Sequence, residues 1–250
     1  MPLDSTIRLR APFAPALDLP PPFRAVALRE VGDAFAHAIA TAAEAGAGTL
    51  VYVGRFDLAE FALVLEPDEP LRTAKRAFYA GMVALVDALA THAPPQKPIE
   101  ILWPASIRID GGLIGGGRLA WPQHADEGTP PSWLVFGAAI RTAAAGATEP
   151  GLFPRTATLE DEGFALASER LIESFARHFM TAVDRWQRDG FAEIADNYLA
   201  RMAAQSEVDC EIAANGDLLL RRRGKKARKR LVDALAQPSW LDATTGEPIR

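Results

Sequence analysis

Apolar residues recur along the chain with two different periods, and the switches between them predict the elements. From Val26 to Ala45 the positions Val31, Ala34, Phe35, Ala38, Ile39 and Ala42 fall at helical spacing, and Gly46 and Gly48 end the pattern. Thr49–Val53 and Ala62–Leu65 are short apolar runs that read as strands, separated by Gly54–Phe61 and closed by Pro67. A second helix over Thr73–Thr91 is carried by Phe78, Met82, Leu85, Val86 and Leu89. Strand-length runs follow at Ile99–Leu102, Ile107–Ile109, Leu119–Trp121 and Trp133–Ile140, with glycines 111, 112, 115, 116 and 117 connecting the second to the third. Leu166–Arg188 places Leu171, Phe175, Phe179, Val183 and Trp186 on one stripe of a third long helix, and Ala192–Met202 reads as a fourth. The proline-rich stretch Ala11–Phe23 is expected to be extended and irregular.

This order predicts an α/β (α+β) protein with a mixed, largely antiparallel sheet and helices on one side, because most strands follow one another through short loops. The last part of the chain reads as a small C-terminal module, residues 205–250, appended to a larger domain, residues 1–204. Its Cys210–Arg222 stretch has apolar runs on either side of Asn215–Gly216, the pair expected to supply a type I′ hairpin turn.

Composition narrows the function classes. The net charge of -5 does not favour nucleic acid or a membrane surface as a general partner. Eight cations nevertheless crowd into Arg221–Arg230, so the remainder of the chain carries -13. Such a run serves as a solvated edge strand guarded by charge, or as a docking patch for an acidic protein. No aromatic residue is interleaved, so nucleic acid is the weaker partner. The single cysteine, Cys210, rules out an internal disulfide and a cysteine-rich zinc site. The four histidines show no metal spacing, and no structural metal is expected. No apolar run approaches the roughly 18 residues of a bilayer span, and Met1–Arg10 does not read as a signal peptide, so the expected compartment is the cytoplasm. No lysine–Ser/Thr pair or helix start follows Gly111–Gly117, which argues against a nucleotide P-loop. No Gly-x-Ser-x-Gly elbow is present either.

The stretch Leu102–Leu119, LWPASIRIDGGLIGGGRL, resembles the core motif of the biotin/lipoate protein ligases. Trp103–Pro104 falls on that family's Trp-Pro, Ile107 and Ile109 on its strand apolars, and Gly115–Gly116 on its Ala-Gly. Ala62–Asp68, Ser132–Thr142 and Arg185–Ile194 are similar to further family segments in the same order. The resemblance covers about residues 25–200. It implies a class II synthetase/biotin ligase-like fold and binding of a biotin-, lipoate- or octanoate-type acyl group or its adenylate. It further implies ATP as a second substrate and transfer of the acyl group to a carrier-protein lysine. An acidic biotinyl or lipoyl carrier domain is then the partner expected at Arg221–Arg230.

The family's lysine before Trp-Pro is Leu102 here, its second-strand lysine is Leu113, and its asparagine near the end of the later strand is Arg141. The loop expected to clamp the adenylate is reduced to Gly54–Arg55 before Phe56. The residues expected to bind ligand are therefore Arg55, Trp103, Arg108, Gly115, Gly116, Arg118 and Arg141. Arginines can hold a carboxylate or phosphate bidentately, and glycines let an acyl chain approach the backbone. No catalytic residue is assigned. Two expectations follow: an acyl-binding protein of ligase type, or a non-catalytic relative that binds ligand or carrier without adenylation.

Overall fold

Seven strands build one sheet that organises the chain. The computed structural model describes residues 17–144, 155–203 and 208–249. The strands are β1 (Arg24–Leu28), β2 (Thr49–Val53), β3 (Leu58–Leu65), β4 (Ile99–Leu102), β5 (Ser106–Ile109), β6 (Gly112–Ala120) and β7 (Leu134–Arg141). Their order is β1-β2-β3-β7-β6-β5-β4. Only the β1–β2 pairing is parallel; every other neighbouring pair is antiparallel.

The central strands are apolar on both faces because helices cover both. On β2, Leu50 and Tyr52 face one core, and Val51 and Val53 face a second. The second core is closed by α1 (Ala34–Ala45), whose buried Ala34, Ala38 and Ala42 let the helix lie close to the sheet. The first core is closed by α3 (Ala77–His92), α4 (Ser168–Asp189) and α5 (Phe191–Arg201), with α2 (Leu71–Ala74) as a short lead-in. Phe175 of α4 lies 4.5 Å from Phe61 and 5.6 Å from Phe136, ring centre to ring centre. The helices thus flank the sheet on two sides rather than one.

Several boundaries differ from the sequence reading, each for a physical reason. The helix expected from Val26 begins only at Ala34, where Asp33 caps it by accepting from the Ala36 N–H at 2.8 Å. Residues 24–28 pair instead with β2, and the Arg24 N–H donates to the Gly48 carbonyl at 2.9 Å. The glycines expected in a connecting loop mostly lie inside β6, and Asp110–Gly111 alone, at φ 48° and 85°, turns the chain. Residues 11–16 of the proline-rich stretch lie outside the described residues.

A second, three-stranded sheet is formed by β8 (Asp209–Ile212), β9 (Leu218–Arg222) and β10 (Lys225–Lys229), in the order β10-β9-β8, followed by α6 (Leu231–Ala236). The left-handed residue pair of a tight hairpin is Arg223–Gly224, at φ 46° and 79°, between β9 and β10. Asn215 is not left-handed, and the expected two-residue turn there is a longer loop closed by Ala213 N–H to the Asp217 carbonyl at 2.9 Å. Leu218, Leu231 and Trp240 are fully buried in the main hydrophobic cluster. No helix among the described residues is long and apolar enough to cross a membrane.

Asp217 ties the C-terminal sheet to α6. Its carboxylate accepts from the Leu231 N–H at 2.9 Å, from Arg228 Nε at 2.6 Å and from Asn215 Nδ2 at 3.0 Å. Burial alone would raise its pKa, but these hydrogen bonds outweigh it and hold the carboxyl below its ordinary range. A depressed carboxylate contributes stability above its unfolded pKa and loses it as pH falls through the folded value. D217N is therefore expected to cost about 1.5–3 kcal/mol at neutral pH, the worth of hydrogen bonds to a charged group. The difference from wild type should shrink as the pH drops below about 4, as read by urea denaturation across pH.

Candidate functional site

The candidate site is built on β6, whose neighbours are β5 and β7. Successive residues of a strand point to opposite faces. Gly117 faces Met82 and Phe78 of α3, so Gly116 and Arg118 face the other way, toward the α1 side. Cross-strand register puts Ser106 of β5 on the Gly116 face. The irregularity between Ile107 and Arg108 brings Arg108 opposite Leu113 on that same face. Leu113, at the position of the expected second-strand lysine, is buried against the main core.

The paired glycines mark a very close backbone approach. A Cβ at Gly115 would sit 2.0 Å from the Ala139 carbonyl oxygen of β7. One at Gly116 would sit 2.3 Å from the Ala105 carbonyl and 2.7 Å from the indole of Trp240. Trp240 is thus the immediate neighbour of Gly116, a contact invisible in the sequence because nothing local links the two.

The arginines separate into different environments. Arg55, in the loop between β2 and β3, donates from Nε and Nη2 to Asp57 at 3.0 and 2.7 Å, and from Nη1 to Glu247. Hydrogen bonding to Asp57 and then Glu247 raises its pKa against the opposing effect of burial, so it stays charged. Arg141, at the end of β7, donates from Nη2 to the Pro248 carbonyl. Arg55 and Arg141 therefore meet at two consecutive residues of the C-terminal stretch. Arg118 lies over the Phe35 ring at 4.4 Å, with Nη2 3.9 Å from Glu60 and 4.0 Å from Asp33. Its Nε and Nη2 are buried without a hydrogen-bond partner among the described residues, as is Nε of Arg108. Burial lowers the Arg118 pKa, opposed by Asp33 and Glu60. Burial raises that of Glu60, opposed by the Ala34 N–H that it accepts at 2.8 Å.

Trp103 lies elsewhere. Its indole donates to the Tyr79 hydroxyl of α3 at 3.2 Å, and the carbonyl of Pro104 accepts from Tyr198 of α5 at 2.7 Å. The turn it occupies is anchored to the helical layer, away from the Gly116 face. The structure thus brings Arg108, Gly116 and Arg118 onto one face, joins Arg55 and Arg141 through the C-terminal stretch, and keeps Trp103 apart. The sequence reading missed Asp57, Glu60, Trp240 and Glu247. Asp57 lay two residues from Arg55 and was the one detectable signal. Cys210 is half-buried and its thiol is pushed up by burial, which disfavours a thiolate nucleophile. Among the described residues no cluster of three histidine, cysteine or acidic groups could hold a metal ion.

Residues 19–200 match the profile of the biotin/lipoate A/B protein ligase family. A biotin--[acetyl-CoA-carboxylase] ligase of Paracoccus denitrificans is 30% identical over 152 residues, which span 58% of this chain and 60% of that relative. The match thus covers less than two thirds of the relative's length. A biotin protein ligase-like protein of unknown function from Silicibacter sp. superposes with a TM-score of 0.77 at 28% identity, covering 89% of this chain and all of that one. The biotin protein ligase of Aquifex aeolicus in complex with biotin and ATP gives a TM-score of 0.62 at 13% identity, over 82% of this chain and 95% of that one, a likeness of fold.

Substitution at the paired glycines should register the close approach directly. G116A is expected to cost about 1–3 kcal/mol, as overpacking does. G115A should cost at least as much, because its Cβ meets a backbone carbonyl at 2.0 Å. Chemical denaturation of both variants measures this.

Proposed function

Because the chain belongs to the biotin/lipoate A/B protein ligase family, we propose that it binds a biotin-, lipoate- or octanoate-type carboxylic acid, or the corresponding acyl-adenylate, on the face of β6 that carries Gly116 and Arg118. The observation that carries this reading is the meeting of Arg55 and Arg141 at adjacent residues, Glu247 and Pro248, beside that face. Two guanidinium groups held at neighbouring residues suit a carboxylate or an α-phosphate. Buried donors on Arg108 and Arg118 add polar capacity nearby.

Adenylation by ATP develops negative charge that must be met by fixed cations. In this chain Arg55 and Arg141 are the groups suited to that task, since Leu102 and Leu113 stand at the two lysine positions. Transfer to a carrier lysine follows if the adenylate forms. A second reading, a relative that binds the acid or its carrier without activating it, is favoured by one feature: Leu113 is 7% exposed and packed in apolar surroundings, where it cannot stabilise an oxyanion. The cytoplasm is the compartment we assign to either.

Thermal shift and calorimetry with biotin, lipoate and octanoate, with and without ATP, test the proposal. Stabilisation by one acid together with ATP-dependent pyrophosphate release marks a ligase. Stabilisation without pyrophosphate marks the non-activating relative. No response to any acid or to a non-hydrolysable acyl-adenylate sinks both. R141A should weaken binding by about tenfold, the loss of one charge-assisted contact.

We assign the docking of an acidic biotinyl or lipoyl carrier domain to Arg221–Arg230. Every residue of β10 is exposed, and β10 is an edge strand. Neutralising Arg221, Lys225 and Lys226 together is expected to weaken a salt-sensitive complex with such a domain. Equal affinity of the neutralised variant at low salt would remove the assignment.

A further inference from the structure

The stretch from Ser239 to Ile249 lies on the ligand face. It closes on itself: the Ile249 N–H donates to the Trp240 carbonyl and the Asp242 N–H to the Glu247 carbonyl, both at 2.8 Å. The Asp242 carboxylate accepts from the Thr244 N–H at 2.7 Å. These bonds close the stretch into a loop that its own backbone supports.

Its outward groups match the chemistry of the proposed ligand. Trp240 places a fully buried indole against the Gly116 backbone. Glu247 presents a carboxylate to Arg55. Pro248 presents a carbonyl oxygen to Arg141. An apolar body and an anionic end are what a biotin- or lipoate-type acid offers. The indole N–H finds no hydrogen-bond partner among the described residues, and an unmet buried donor weakens the closed arrangement.

We propose that this loop is an intrachain stand-in for the ligand, and that the acid binds by displacing it. The proposal rests on the ligand reading given above. The loop then sets an affinity threshold: ligand binding is reduced by the fraction of molecules in which the loop is seated.

The Ser106 and Ser239 hydroxyls are 3.2 Å apart, which allows a tether. An S106C/S239C double variant in a C210S background, oxidised to the disulfide, locks the loop down. Binding of biotin, lipoate and octanoate is measured by calorimetry in the oxidised and the dithiothreitol-reduced forms of this one variant. Oxidation is expected to weaken binding at least about tenfold. E247Q, which removes the competing charge without disturbing Trp240, is expected to tighten binding by about threefold or more. Ligand should also speed hydrogen exchange at the Asp242 and Ile249 amides of the wild-type chain. Equal affinity of the oxidised and reduced forms would overturn the displacement while leaving the ligand reading intact. Failure of the reduced form, E247Q and wild type alike to bind any acid would overturn both.

Discussion

A close backbone approach at Gly115 and Gly116 sets the geometry around it. Because no Cβ fits between β6 and the carbonyls of Ala139 and Ala105, β6 stays in register between β5 and β7 while its middle carries no side chains. The ladder then fixes which residues share the Gly116 face: Ser106, Arg108, Leu113 and Arg118. The opposite face can be filled by large residues of α3, with Phe78 and Met82 reaching Gly117. One face of β6 is thus packed by the large apolar residues of α3, and the other collects the buried donors of Arg108 and Arg118 beside Trp240.

Charge on the polar layer is arranged in small neutralised groups. Arg55 is held by Asp57 and Glu247, and Arg118 by Asp33 and Glu60 at longer range. The contrast between them is one of depth. Arg55 makes direct hydrogen bonds near the surface and gains proton affinity, whereas burial costs Arg118 some of its own. A cation with unmet donors in a low-dielectric setting is electrostatically available in a way that a fully paired one is not.

Much of this frame was legible in the sequence. Ile99–Leu102 reads as a strand with the bounds it has, and the Leu171–Phe179 stripe marks α4 because its period is long and its apolar residues are large. The strand β1 was not legible: four of its five residues are exposed, and its apolar positions run without a break into a helical pattern. The glycines of β6 read as a connection in the sequence because glycine in a strand leaves no periodic signal, while the reason for it lies in other strands. The partners of Arg55, Gly116 and Arg141 in the C-terminal loop were invisible for a related reason. They depend on contacts between parts of the chain far apart in sequence, and nothing local at Trp240 or Glu247 announces them. The family motif points to β6, but what lies against that strand depends on the fold.

Tyr79 carries a further consequence. Its ring packs at 4.7 Å from Tyr198, its hydroxyl accepts from Trp103, and it donates to the Gly216 carbonyl at the start of the small sheet. One buried phenol therefore joins α3, α5, the β4–β5 turn and the C-terminal hairpin. Parting the two sheets breaks the Tyr79 bond to Gly216 and exposes that phenol. Such a tie couples the two, and heat or denaturant is expected to melt the small sheet together with the large one, however different they look in strand order and charge.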